Sequence, residues 1–461
     1  MTLHGRHVHF VGIGGVSMSA IAHLALERGG LVSGCDLQDS PRTEALAEEG
    51  CAIHVGHDPA HLDGVELVVR SSAVPEDAPE IEAALRRHIP VISRARMLAR
   101  LAGDDRVIAV AGSHGKTTTT WMAARLLIEA RCDPSAMVGG RVAELGGSYR
   151  VGDGRYFVIE ADESDGTLLE FQPHCTIVTN LDLEHVDRYP DLEALQAVFR
   201  RFLARTRPDG CVILCADDEP TMAVRDAWDG AYLTYGFAGE ADVRGENLRL
   251  HPQSATLDVR RPGGVLPNLR VNLPGRHNAE NALAVAALAS ALGLPDDALR
   301  AALAHIEGVG RRLERTGRAA GVTVLDDYAH HPTEIRATLD AARHVAEGRL
   351  IGVFQPHRYT RTLHLARAFA ECFDSLDHLV VVPLYAAGEP PIEGVTAQRI
   401  VEAVVEGGAV EVAWFEDWDG ARRHLLDLLR AGDTLLTLGA GDVYQLGEQV
   451  LDELRKRDDA L

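Results

Sequence analysis

Apolar residues in this chain come in short bursts, each closed by glycine or by acids and followed by a stretch with apolar positions at helical spacing. Residues 8–11 read as a strand, Gly12, Gly14 and Gly15 as a turn, and residues 18–28 as a helix. Residues 31–35 give the next strand, ending at Asp36, and residues 67–71 a further one, with the polar turn Ser71-Ser72-Ala73 at its carboxyl end. This is a Rossmann-like opening, and in open α/β sheets ligands bind at such strand ends. The dinucleotide fingerprint G-x-G-x-x-G fails because Ser17 stands where the third glycine belongs. The turn suits a nucleotide diphosphate, and it equally suits a plain tight turn.

The alternation continues. Strands are predicted at 107–111, 156–161, 176–181, 212–216 and 232–235, then shorter ones at 247–250, 256–259 and 269–272 that suggest a small antiparallel patch. Helices at 279–292 and 295–305 lead to a glycine-containing hinge at 307–310. Beyond it, strands at 323–326, 350–354, 379–383, 410–415 and 434–438 alternate with helices, which predicts another open sheet. At 461 residues the chain is too long for one core. The expectation is three α/β domains: 1–102 and 310–461 Rossmann-like, and 103–309 of the P-loop ATPase type.

A net charge of −22 repels nucleic acid and anionic membranes, so any phosphate site is a local positive spot in an acidic field. No apolar run approaches the roughly 18 residues of a membrane span, and no export leader opens the chain. Seven cysteines in no metal-type pairing fit a reducing, cytoplasmic setting; Cys211 and Cys215 read as structural thiols of one strand.

Arginine has replaced lysine almost everywhere: 44 arginines stand against two lysines. Lys456 lies in the charged tail, while Lys116 sits in VIAVAGSHGKTTTT. An apolar strand, the turn Gly112-Ser113-His114-Gly115, then Lys116, Thr117 and Thr118 opening a helix make a phosphate-binding loop. Backbone N–H groups and the helix N-terminus face the anion, the ammonium reaches the terminal phosphates, and the Thr117 hydroxyl suits magnesium. Val110 replaces the first glycine of the strict Walker pattern, so the loop is a variant.

Four acids, from Glu160 to Asp165, follow the apolar strand 156–161, where a phosphate-loop protein holds a hard cation; Glu160 is the foremost candidate because it ends the strand. His185 lies among acids after a further strand, as a ligand or phosphate contact. Asn278 reads as a helix N-cap, and with Asn281 equally as a reader of a nucleobase edge. In the last third, Asp327, Tyr328 and His330 close one strand, and Arg358 and Arg361 follow the next. If those strands are neighbours, the arginines meet Tyr328 and His330, and arginine forks suit a carboxylate.

GIGGVSMSAIA, AGSHGKTTTT, EADESDGTLLEFQP, TNLDLEHVDRY, PGRHNAENALAV, GVGRRLE, DDYAHHPTE and FQPHRYTRT occur in this order. Together they closely resemble the Mur ligases of peptidoglycan synthesis, over the whole chain. The resemblance implies an ATP-dependent enzyme with Mg2+ (or Mn2+) that joins L-alanine to UDP-N-acetylmuramate through an acyl phosphate, as a monomer or homodimer. It implies that Gly112 to Thr118 cradle ATP, with Lys116 on the β- and γ-phosphates and Thr117 and Glu160 on one metal. His185 would serve a second metal, Asn278 and Asn281 the adenine, and Arg312 and Asp327 would orient ATP. Gly12, Gly14, Gly15, Ser17, Asp36, Ser71 and Ser72 would hold the uridine nucleotide, and Tyr328, His330, Arg358 and Arg361 would line the alanine site. The resemblance implies that several sister ligases carry a carbamoylated lysine. None is possible between Lys116 and Lys456, in agreement with the alanine-adding branch. A ligase that attaches a recycled peptide to the same sugar nucleotide is the nearest rival. A NAD-dependent dehydrogenase would leave Lys116 idle, and a regulatory ATPase would not need the arginine pair.

Overall fold

The computed structural model describes residues 3–71, 73–163, 166–185, 188–408 and 410–459, the side chains of residues 167 and 459 aside. These residues form two compact units. One comprises Met1–Leu181, Leu195–Tyr235 and Ala287–Leu299; the other comprises Asp182–Ala194, Gly236–Ala286 and Arg300–Leu461.

The first unit opens with strands β1 (His7–Val11), β2 (Leu31–Asp36), β3 (Ala52–Val55), β4 (Leu67–Arg70) and β5 (Val91–Ser93). They form a parallel sheet in the order β3-β2-β1-β4-β5. Helices α1 (Val16–Glu27), α2 (Pro41–Glu48) and α3 (Pro79–Arg86) lie in the crossovers, and α4 (Arg94–Ala102) follows β5. Only α1 was expected, together with β1, β2 and β4. Strand β3 escapes sequence reasoning because it is a half-exposed edge with a histidine at its centre. Strand β5 escapes because it is three residues long.

The same unit continues with β6 (Arg106–Ala111), α5 (Lys116–Glu129), β7 (Ser135–Val142), β8 (Gly147–Arg150), β9 (Tyr156–Glu160), β10 (Cys175–Val178), α6 (Leu192–Leu203), β11 (Cys211–Cys215), α7 (Glu219–Met222) and β12 (Ala231–Gly236), α6 straddling the boundary. These strands run in the order β12-β11-β10-β6-β9-β7-β8. β6 lies at the centre, pairing in parallel with β10 and β9, and every residue of it after Arg106 is buried. Strands buried on both faces read as continuous apolar runs, which is why β6 was legible.

The second unit holds an antiparallel meander, β13 (Val243–His251), β14 (Ser254–Arg261) and β15 (Gly264–Val271), longer than the patch expected. Helices α8 (Arg276–Leu292) and α9 (Asp296–Ala304), which both straddle the boundary, lead to β16 (Glu314–Ala319), β17 (Val322–Asp327), α10 (Pro332–Val345), β18 (Leu350–Phe354), α11 (Tyr359–Ala370), β19 (His378–Val381), α12 (Gln398–Gly407), β20 (Val412–Trp414), α13 (Trp418–Leu428), β21 (Thr434–Leu438) and α14 (Tyr444–Asp459). The strand order is β16-β17-β21-β18-β19-β20. Alternation along β18 explains the double winding. Leu350 and Phe354 face α10, α11 and α12 through Leu339, Phe369 and Ile400, whereas Ile351 and Val353 face α13 and α14 through Leu425 and Val450.

Candidate active site

The loop between β6 and α5 is built by its neighbour. Strand β10 pairs with β6 so that Val178 lies opposite Ala111, which delivers Thr179 and Asn180 to the loop. The Ser113 N–H donates to the Asn180 carbonyl at 2.9 Å, and the His114 N–H to the Asn180 side-chain oxygen at 2.8 Å. The Thr179 hydroxyl donates to the His114 carbonyl at 2.6 Å. Gly112 has φ +131°, and a Cβ there would stand 2.2 Å from the Thr179 hydroxyl, so only glycine fits. Gly115, at φ +79°, caps α5.

Lys116 is largely buried. Its Nζ donates to the Gly112 carbonyl at 2.6 Å and to both Glu163 oxygens at 2.9 and 3.0 Å. Burial alone would lower its pKa; attraction from Glu163, then Asp162 and Glu160, outweighs this and raises it, so the ammonium is held charged. Burial pushes the Glu163 carboxyl up to about 7, against the pull of Lys116. We take the lysine as the fixed charge of the pair, because three carboxylates act on it. Thr117 and Thr118 are buried in the first turn of α5. Glu160 ends β9 opposite Val110, and its carboxylate accepts the Gly139 N–H at 2.9 Å.

The first glycine turn follows β1. The Gly12 N–H donates to the Cys35 carbonyl at 2.9 Å, and the Gly14 N–H to the Asp36 carboxylate at 2.8 Å. A Cβ on Gly14 would lie 2.9 Å from that carboxylate oxygen, and one on Gly12 would lie 3.0 Å from the Ser71 side chain. Asp36 and Ser71 therefore both line the turn. Gly15 caps α1, and Ser17 lies half-buried in its first turn. Ser72 lies outside the described residues.

In the second unit, Asp327 ends β17 and is buried. It accepts N–H donors from Leu313 at 2.6 Å and Ala329 at 2.8 Å, and the Thr338 hydroxyl at 3.2 Å. Burial pushes it up to about 6, against the nearby Arg312 guanidinium. The Tyr328 ring lies between Arg311 and Arg312, 5.1 and 5.3 Å from the two guanidinium carbons. His330 meets the edge of the His357 ring at 5.4 Å between centroids. Arg361 donates to His357 Nδ1 at 3.1 Å and lies 3.7 Å from Glu184. Burial and then the Arg361 charge lower His330 to about 4; burial, then His330, Arg361 and Arg358, lower His357 to about 2. Arg358, at φ +71°, precedes α11 and lies 3.7 Å from Glu389. Glu184, His185, His331, Arg358, Thr360 and Arg361 line one small cavity.

Family models cover nearly all of the chain. The model of the Mur ligase family catalytic domain matches residues 7–106, that of the Mur ligase middle domain residues 110–289, and that of the Mur ligase glutamate ligase domain residues 311–441. The chain belongs to the Mur ligase family. It is similar to a UDP-N-acetylmuramate–L-alanine ligase of Solibacter usitatus, 45% identical over 99% of this chain and 97% of that protein. A protein of the same name from Pelotomaculum thermopropionicum is 42% identical over 98% of each chain. Among solved structures, the UDP-N-acetylmuramate–alanine ligase MurC of Thermotoga maritima superposes with a TM-score of 0.81 at 30% identity, covering 98% of this chain and 99% of that one. The murein peptide ligase of Psychrobacter arcticus gives 0.72 at 26%, with the same coverage.

Two expectations for this Mur ligase need correction. Strands β17 and β18 are not neighbours, because β21 lies between them and pairs with both. The arginines reach His330 through His357 instead, a residue that sequence reasoning passed over. Asn278 is not an N-cap: α8 starts two residues earlier, and the Asn278 amide donates to the Pro274 carbonyl at 2.7 Å. Asn281 is buried one turn further on, 3.5 Å from Asn278. Glu163, the carboxylate that holds Lys116, was recognised only as one member of an acid run. Its neighbour Glu160 was singled out because it ends the apolar strand.

Proposed function

We propose that this Mur ligase joins L-alanine to the muramoyl carboxylate of UDP-N-acetylmuramate at the expense of ATP, in cytoplasmic peptidoglycan precursor synthesis. The observation that carries the reading is Lys116. The chain's single internal lysine stands charged at the head of α5, in a glycine loop that follows the central parallel strand β6. End-to-end likeness to alanine ligases supports the choice of amine. We assign 1–102 to the sugar nucleotide, 103–309 to ATP and 310–461 to alanine.

In the absence of nucleotide, Glu163 serves Lys116 as a resident anion. ATP takes its place, with Gly112 to Thr118 around the phosphates, Asn278 and Asn281 at the adenine, and Arg312 and Asp327 orienting the nucleotide. Gly12, Gly14, Gly15, Ser17, Asp36, Ser71 and Ser72 hold the uridine nucleotide. The muramoyl carboxylate attacks the γ-phosphorus, ADP leaves, and an acyl phosphate forms, because a free carboxylate lacks a good leaving group. Lys116 neutralises charge that develops on the transferred group. The neutral amine of alanine, its carboxylate held by Arg358 and Arg361 beside Tyr328 and His330, then attacks the acyl carbon and phosphate departs.

The oxygen donors around Lys116 fit a hard cation: Glu160, Asp162 and Glu163 act together on one ammonium, and Thr117 lies one residue on. Thr117 and Glu160 would hold magnesium, with His185 serving a second ion. Bound there, magnesium supplies charge neutralisation to the phosphate oxygens.

The test is phosphate release from ATP with UDP-N-acetylmuramate, with and without L-alanine, with the recycled tripeptide as competing amine. Alanine-dependent release with a matching amide product is expected. Release with tripeptide alone would move the chain to the recycling ligases. Release independent of the sugar nucleotide would sink the reading.

A further inference from the structure

One buried face of the first sheet carries a group of polar side chains set among aliphatic ones. His9 shares the face of Val11 on β1, and the register sets His9 opposite Ser33, Val11 opposite Cys35, and Cys35 opposite His54. The 3-10 turn Pro59–Leu62 brings His61 over this face, and α3 brings Glu80. His9, Cys35 and Glu80 are each 0% exposed.

Glu80 is the hub. Its Oε1 lies 2.7 Å from His61 Nδ1, and its Oε2 lies 2.6 Å from His57 Nδ1 and 3.2 Å from the Cys35 sulfur. His9 uses Nδ1 on the Ser33 hydroxyl at 2.9 Å. Its Nε2 is buried with no hydrogen-bond partner, 3.6 Å from Glu80 Oε1. One donor atom from each of His9, Cys35, His61 and Glu80 lies within 4.8 Å of all the others.

A buried nitrogen with no hydrogen-bond partner is costly, and His9 Nε2 is one, set beside the Glu80 carboxylate. Two imidazoles, a thiol and a carboxylate are the donor set of a borderline-soft divalent ion. We propose that His9, Cys35, His61 and Glu80 bind one divalent transition-metal ion of the zinc class, as a closed structural site in the first sheet. Charge balances there: the thiolate and the carboxylate together match the ion, and both imidazoles bind neutral. On binding, the Cys35 S–H bond breaks, the sulfur keeps the electron pair for the metal, and the proton passes to buffer. Ser33 orients His9 through its other nitrogen, and His57 donates to the Glu80 carboxylate, as supporting partners of metal ligands do.

The ion would tie β1, β2, the 3-10 turn and α3 together. It would also stiffen the glycine turn, because the Cys35 carbonyl accepts the N–H groups of both Gly12 and Ile13. This site stands apart from the ligase reading and survives its failure.

The experiment uses the full chain, stripped with chelator and held in excess Mg2+ so that hard oxygen sites are filled. Titration with Co2+ should give about one equivalent bound, with tetrahedral d–d bands and a sulfur-to-cobalt charge-transfer band, both abolished by stoichiometric Zn2+. Cys35→Ser should remove the charge-transfer band, and Cys35→Ser and His9→Phe should each weaken Zn2+ binding by at least about 100-fold. The wild-type spectrum stands as a test even if a variant fails to fold. Absence of a sulfur band in the wild-type protein, or equal Zn2+ affinity in folded variants, would overturn the site.

Discussion

Two strand–glycine–helix turns lie within one compact unit, and they differ in what fills the mouth of the turn. At the first, the Gly14 N–H is taken by the Asp36 carboxylate, and no lysine stands at the head of α1. At the second, Asn180 fixes the loop from behind and Lys116 places a cation in front. Similar backbone punctuation therefore yields opposite electrostatics. A turn that carries its own carboxylate suits the hydroxyl and N–H groups of a ligand held in place. A turn that carries a charged lysine suits a group whose negative charge grows during reaction.

The largest effect should come from Lys116→Ala: ligation falls by about 10³-fold or more, with far-ultraviolet circular dichroism unchanged. Retained turnover would erase the contrast, because the second turn would then be structural as well. Asp36→Ala should raise KM for the sugar nucleotide about 10-fold while kcat moves little, the signature of binding lost equally from ground and transition states. A matching fall in kcat would give the first turn a share in the chemistry. Arg358→Ala should raise the alanine KM about 10-fold and leave that for ATP unchanged; equal effects would remove it from the amine site. Glu163→Gln removes the anion already seated on Lys116, so apparent ATP affinity in calorimetry should rise a few-fold. The gain should be greater above pH 7 than below it, because Glu163 ionises near that pH. A loss of affinity would mean that Glu163 supports nucleotide binding.

The smallest effect at neutral pH belongs to His330. Its folded pKa of about 4 lies below the ordinary 6.5, so between these values the unfolded chain binds more protons. Stability is thus complete above 6.5 and lost as pH falls towards 4. Hydrogen-exchange protection in α10, taken relative to the intrinsic rate at each pH, should fall across that window, and fall less in His330→Asn.

Central strands were legible in the sequence because burial on both faces makes them mostly apolar, as β6, β18 and β21 are. Edges were not. Glu314–Ala319 carries three charged residues, and Gly147–Arg150 is half-buried throughout, so neither has a face pattern to read. The phosphate loop was legible because its punctuation is local. The partners of that loop were not, because Glu163 and Asn180 arrive through strand pairing across 47 and 66 positions of chain. Strand order was hidden for the same reason, so the place of β21 between β17 and β18 was not legible.

The near-absence of lysine has a practical side. Lys116 is 12% exposed and held protonated, with its lone pair withheld from electrophiles, while Lys456 stands 70% exposed on α14. Amine-directed reagents therefore find one accessible side chain on the whole molecule. A dye, a surface or a cross-linker attached through lysine would fasten the enzyme by its carboxyl-terminal helix, in a single orientation, with the reaction centre untouched.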